Sequence, residues 1–243
     1  MSKRRDERIR ALVEALAARR VLRLREAAAL VGASEMTVRR DIEGAPDRFA
    51  YFGGHIFPAD SLGGGAIYQL EQEADSHAPA KALACGHAAG LIEADTTVFI
   101  DCGTTLVHMA EAIPNDLPVT VICYSLNVAQ RLAHMPRVRL IMLGGTYYPA
   151  SASFSAEGGE PLKHFGIDQA FISAGGVDLK RGASCSHLHE VPVKKMAMQC
   201  ALESHLIVDS SKLGRVRPMV FASLESFRMV ITELGPAAPA AFA

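Results

Sequence analysis

Two short stretches of this 243-residue chain place residue types at spacings that could do chemistry. In Asp101-Cys102-Gly103-Thr104-Thr105, a glycine that allows close backbone approach is followed by two hydroxyls and then by Leu106, Met109 and Ala110 at helical spacing. Hydroxyls and free N–H groups at a helix start suit an anion such as a phosphate. The same residues also fit a strand-to-helix turn whose threonines cap the helix. In the stretch Ser34–Asp41 (SEMTVRRD), Val38 and the following Ile42 sit four apart and face inward. Met36, Thr37, Arg39 and Arg40 are then left on the outer arc of a helix or its edges.

The second stretch needs a partner helix, and the preceding residues supply one. Leu24, Ala27, Ala28 and Val31 form an apolar stripe, Gly32 provides a left-handed stop, and Ser34 is placed to cap the next helix with Glu35 in its first turn. A tight turn between short helices, with arginines on the second, fits a DNA major groove. An ordinary αα-hairpin with a solvated charged face fits as well. A first helix from about Arg5 to Arg19 carries the stripe Ile9, Leu12, Val13 and Leu16. Two β-prone runs over Arg48–Phe57 flank Gly53-Gly54, a hairpin signal. Three helices and a hairpin make a winged helix-turn-helix over residues 1–60, with Ser34, Met36, Thr37, Arg39 and Arg40 as its DNA-facing residues. The glycine-rich Ser61–Gly65 opens a linker over residues 61–78, with a polar segment running to about His77.

The first stretch needs a strand before it and a sheet around it. From Pro79, which can open a helix through Ala82, Leu83, Ala89 and Ile92, short apolar runs alternate with helical ones. Strands are predicted at Thr97–Asp101, Val119–Cys123, Arg137–Leu143, Gln169–Ala174, Leu206–Asp209 and Met229–Thr232. They are apolar nearly throughout, as buried parallel strands are, which predicts a doubly wound α/β domain over residues 79–235. Residues 236–243 read as a frayed, disordered tail. Ligands of such sheets bind beyond the carboxyl ends of the strands. Those ends offer Asp101, Gly103, Thr104 and Thr105, then Ser125 and Asn127, then Gly144-Gly145, then Gly175 within Ser173–Gly176, and then Asp209–Lys212. Lys194 and Lys212 are the candidate positive charges for a phosphorylated ligand.

Composition bounds the alternatives. Hydrophobic residues are 49% and charged residues 21% of the chain, with a net charge of −1. Residues 1–60 hold 12 Lys and Arg against 9 Asp and Glu, and the remainder 13 against 17, so a basic head precedes an acidic body. No apolar run is long enough to span a bilayer and the first residues lack the apolar core of a signal peptide, which predicts a cytoplasmic protein without a membrane partner. The five cysteines form no C-x-x-C pair and read as reduced thiols. Cys185, His187 and His189 would share one face of a strand, but no second ligand pair at zinc spacing accompanies them, so no metal and no cofactor are expected.

Taken together these motifs resemble the DeoR family of bacterial transcriptional regulators, over essentially the whole chain. SEMTVRRD resembles its recognition helix; Asp101–Thr105 (DCGTT), Leu143–Gly145 (LGG) and Asp209–Lys212 (DSSK) resemble its effector-domain motifs. Cys123–Asn127, Glu190–Lys194 and Val216–Pro218 are similar to a narrower branch of the family. The resemblance implies a repressor of a sugar or deoxynucleoside catabolic operon, released from its double-stranded operator by a phosphorylated sugar, with deoxyribose 5-phosphate as the expected effector. Few residues separate Asp41 from Gly53-Gly54, so the third helix and wing are shorter than is usual in the family. Effector domains of this family also resemble ribose 5-phosphate isomerase, which raises an isomerase-like enzyme as the alternative. Such an enzyme needs a carboxylate base, and Ser173–Val177 carries none before Asp178. A receptor is therefore expected rather than an enzyme. Winged helices read paired half-sites, which predicts a homo-oligomer.

Overall fold

Leu22 and Leu24 are both buried in the core of the first part of the chain. A computed structural model describes residues 3–19, 21–45, 48–52, 55–58, 77–155 and 157–242. The chain divides into two units, residues 1–67 and 68–243. The first unit runs α1 (Lys3–Arg19), β1 (Leu22–Arg23), α2 (Leu24–Leu30), α3 (Glu35–Glu43), β2 (Phe49–Phe52) and β3 (His55–Pro58). Gly32 takes φ +60 and ends α2, and Ser34 Oγ accepts from Thr37 N at 3.2 Å to cap α3. Ile9, Leu12, Leu16, Ala27, Val38 and Ile42 meet Phe49 and Ile56 in the core. Val13, expected in the α1 stripe, is instead 38% exposed because it lies at the stripe's margin. β2 and β3 pair antiparallel as the hairpin predicts, while its turn Gly53-Gly54 lies outside the described residues. β1 has no counterpart in the sequence expectations; its two residues pair with β3 and close a three-stranded sheet. The predicted linker lies mostly outside the described residues.

In the second unit, α4 (Ala78–Ala89) precedes β4 (Thr97–Ile100), α5 (Leu106–Ala112), β5 (Val119–Cys123), α6 (Leu126–Leu132) and β6 (Val138–Met142). The hairpin β7 (Thr146–Tyr148) and β8 (Ser153–Ser155) follows, then β9 (Ile167–Ser173), β10 (Gly176–Asp178) and β11 (Gly182–Cys185). The chain continues through α7 (Glu190–Cys200), β12 (Ala201–Ile207), β13 (Met219–Ala222), β14 (Met229–Thr232) and β15 (Gly235–Ala237). All six predicted strands are present in one sheet of order β15-β14-β12-β9-β4-β5-β6, parallel except for β15. Strand order therefore reverses direction between β4 and β9, the place where doubly wound sheets leave a crevice. Alternate residues serve two cores. Val98, Ile100, Val121 and Phe171 pack toward α4, α5 and α6, and Phe99, Ile122, Ile172 and Leu206 pack toward α7.

Three expectations for this unit need correction. α4 buries Lys81, Ala84, Cys85 and Ala88, whereas Ala82 and Leu83 face solvent, Leu83 at 58% exposure. Small residues on the buried face let the helix lie close to the sheet. The second face of the sheet is covered by α7 together with a small antiparallel sheet, β10-β11-β13, which local pattern does not predict. The supposed disordered tail is structured through Phe242: β15 pairs with β14 and Phe242 packs against the α7-side core. Pro236 is tolerated there because β15 is an edge strand.

Candidate functional site

The first unit presents the predicted DNA-facing set on one surface of α3. Met36 is 68% exposed, Arg39 and Arg40 are exposed, and Thr37 is half-buried. Ser34 is exposed, but its hydroxyl is engaged as the cap and lies 2.9 Å from Thr37 Oγ1. Arg39 Nη2 donates to Tyr51 Oη on β2 at 3.0 Å. Asp41 is buried and accepts from Arg8 Nε at 2.7 Å and Nη2 at 3.1 Å, with Arg5 Nε 3.5 Å away. That two-pronged contact fixes α3 against α1 and raises the Arg8 pKa through its hydrogen bond to Asp41. The SEMTVRRD motif contains Asp41, but its partner 33 residues away is a tertiary fact.

In the second unit, the carboxyl ends of β4 and β9 meet a cavity lined by Gly103, Thr104 and Thr105, by Ser173 to Gly175, and by Ser151, Cys185, His187, Glu190 and Lys194. Gly103 takes φ +105, and a Cβ there would lie 3.3 Å from Ser173 Oγ. Lys81 is fully buried and donates to Thr104 Oγ1 at 3.1 Å. One turn on, Cys85 Sγ donates to Thr105 O at 3.1 Å. Burial pushes the Cys85 pKa up to about 12, which keeps it a thiol donor. α4 thus grips the loop at two points. Gly175 N donates to Ser184 O at 2.8 Å, and Arg217 Nε donates to Gly175 O at 3.1 Å. A Cβ at Gly175 would sit 3.0 Å from Arg217 Cγ, so a side chain there would displace the arginine.

Asp101 and Lys194 occupy different roles from those expected. Asp101 is fully buried and does not line the cavity. Its carboxylate accepts from Ser173 N at 2.8 Å, from Tyr124 Oη at 2.6 Å and from Lys194 Nζ, with Ser173 Oγ 3.0 Å away. Those partners come from the end of β5, from β9 and from α7, so the carboxylate ties the ends of three elements to β4 rather than facing a sugar. The Lys194 ammonium also donates to Ser173 O at 3.1 Å and lies 3.5 Å from Glu190 Oε2. Burial would depress its pKa, but Asp101 foremost, with Glu190 among the neighbouring anionic groups, outweighs burial and holds it well above the usual lysine range. Its charge is consumed internally, although the side chain still forms part of the cavity wall. Ser125 and Asn127 bond to each other at 2.7 Å, and Lys212 is buried in the turn after β12; these three do not line the cavity.

Sequence reasoning missed Lys81, named Glu190 only within a family-like motif, and weighed His187 and His189 only as metal ligands. Glu190 stands four residues before Lys194 on α7, a spacing visible in the sequence. Burial pushes its pKa up. His189 stacks on Tyr148 with ring centroids 3.7 Å apart, and its Nε2 is 3.0 Å from Ser151 Oγ. Burial, then His187 and Lys194, lower its pKa to about 4. β11 ends at Cys185, so Cys185, His187 and His189 do not share a strand face, and the described residues contain no metal-holding group of three. Asp178 Oδ1 accepts from Lys180 N and Arg181 N at 3.0 and 2.8 Å, so the first carboxylate after the glycine loop closes a turn.

The chain matches the DeoR-like helix-turn-helix domain over residues 8–44 and the DeoR C-terminal sensor domain over residues 76–234. It is 39% identical over 237 residues to the deoxyribose operon repressor of Escherichia coli K12, covering 97% of this chain and 93% of the relative. It is 28% identical to the regulator IolR of Bacillus subtilis, over 93% and 90% of the two chains. Among solved structures, eIF2B beta from Chaetomium thermophilum is similar in fold, with TM-score 0.51 and 14% identity over 100% of this chain and 89% of the other. Ribose 5-phosphate isomerase A from Methanocaldococcus jannaschii aligns with TM-score 0.44 and 18% identity over 57% and 55%. With a helix-turn-helix domain and a C-terminal sensor domain that both match this family, and a relative named as a repressor over 97% of its length, this chain belongs to the DeoR family of transcriptional repressors.

Proposed function

We propose that the protein represses a sugar or deoxynucleoside catabolic operon from the cytoplasm as a homo-oligomer, and leaves its operator when deoxyribose 5-phosphate fills the cavity between β4 and β9. The observation that carries this reading is the loop Gly103–Thr105 at the strand-order reversal, with the buried Lys81 ammonium 3.1 Å from Thr104 Oγ1. A phosphate seated there gains two hydroxyl donors, one of them backed by the Lys81 ammonium, and charge-assisted hydrogen bonds of that kind are strong. Glu190 and His187 also line the cavity, as acceptor and ring groups suited to sugar hydroxyls. The Escherichia coli relative's name supplies deoxyribose as the sugar. Release follows if the filled cavity favours a conformation or assembly that fits DNA worse.

Calorimetry on the full chain tests this with deoxyribose 5-phosphate, free deoxyribose, ribose 5-phosphate and inorganic phosphate. Deoxyribose 5-phosphate is expected to bind at least about tenfold more tightly than free deoxyribose, because the unphosphorylated sugar leaves buried donors unmatched. Equal binding of the two refutes the phosphate site. Tighter binding of ribose 5-phosphate refutes the named sugar only. Thr104→Val should weaken both phosphorylated sugars and leave free deoxyribose unchanged.

A further inference from the structure

Tyr51 lies beyond the matched helix-turn-helix residues 8–44, on β2 of the wing sheet. Phe49, two residues earlier on the same strand face, is buried in the first-unit core. Tyr51 is half-buried at the margin of that core and paired across the hairpin with Ile56. The ring is thus held by the wing. Its outer side meets Arg39 in two ways: Nη2 donates to the phenol oxygen at 3.0 Å, and Cζ lies 5.1 Å from the ring centroid. That second distance is within the range of a cation–π contact.

We infer that Tyr51 is a positioning residue for DNA recognition: it fixes the Arg39 guanidinium before the operator arrives and couples the recognition helix to the wing. An unrestrained arginine loses much side-chain freedom on docking, and a partner that orders it beforehand removes part of that cost. The guanidinium has five N–H donors and gives one to Tyr51, so enough remain for a two-pronged contact to a guanine edge or a phosphate. The alternative geometry has Arg39 leaving Tyr51 to reach DNA, in which case the contact competes with binding. The two differ in sign.

The test uses the full chain and a duplex selected by the parent protein from a random library, with affinities read by fluorescence anisotropy at one salt concentration. Tyr51→Phe keeps the ring and its core packing while deleting the acceptor. It should bind about three- to tenfold more weakly with an unchanged melting temperature. Combined with Arg39→Ala, it should cost nothing further, whereas its effect should add to that of Arg40→Ala. On duplexes carrying single base-pair changes, Tyr51→Phe should lose discrimination at the same base pair as Arg39→Ala. Binding equal to or tighter than the parent overturns the inference. So do additivity with Arg39→Ala, an Arg39→Ala variant that binds like the parent, and a Tyr51→Phe loss spread evenly over all base pairs.

Discussion

Replacing Lys194 by methionine separates a structural ammonium from a ligand-binding one. Lys194 and Asp101 are 1% and 0% exposed at their side chains, so the substitution leaves a buried carboxylate without its cation. Breaking such a pair from one side costs about 3–5 kcal/mol. Asp101 retains Ser173 N, Ser173 Oγ and Tyr124 Oη as partners, which places the cost at the lower end, about 3 kcal/mol. A domain of this size holds about 5–15 kcal/mol in total, and each kcal/mol moves Tm by about 2–4 °C, so the larger unit should melt about 6–12 °C lower. Adding Asp101→Asn removes the stranded charge, and the double variant should recover at least about 1 kcal/mol. Circular dichroism melts of the full chain, with calorimetric titration of deoxyribose 5-phosphate alongside, read both effects. A loss below about 1 kcal/mol combined with abolished sugar-phosphate binding would refute the argument and restore Lys194 to the ligand role its sequence suggested.

Further consequences are open to simple measurement. Gly182 takes φ +84 and a Cβ there would lie only 2.1 Å from Ala222 O, so Gly182→Ala should open the β11–β13 pairing and destabilise the larger unit by about 1–3 kcal/mol; a parental Tm would contradict this. Asp41→Asn should weaken the α1–α3 tie by about 1–3 kcal/mol and lower operator affinity with it, whereas an unchanged melt and unchanged binding would show that Arg8 does not fix α3. The His189 pKa is depressed from 6.5 to about 4, so its contribution to stability is present above pH 6.5 and lost as pH falls through about 4. Glu190, whose pKa is raised, works in the opposite sense, favouring the fold at low pH and less so as pH rises through its folded value. Melts from pH 7 to pH 4 should therefore fall less steeply in His189→Gln than in the parent, and equal slopes would remove His189 from the account.

Local pattern alone determined much of this protein. The 3.6-residue stripe on Leu24, Ala27 and Ala28, the stop at Gly32 and the cap at Ser34 are decided by neighbours within a turn or two, and all appear where they were expected. The apolar runs that became β4, β5, β9, β12 and β14 were legible because strands covered on both faces have no polar side to hide, whereas β6, at the sheet edge, is only half-buried. The DCGTT loop could be placed at a strand end for the same reason. Tertiary structure decided how those ends are ordered and which charges remain available. Lys81 was invisible as a site residue because its partner Thr104 is 23 positions away and nothing in α4 marks a lysine for burial. Lys194 looked available because its neutralising carboxylate is 93 positions away in sequence. Side-chain type and local spacing specify what a residue can do, but a buried ammonium is attached to whichever anion the crossing strands bring to it. Only the order in which β4, β9 and their neighbours pack sets that.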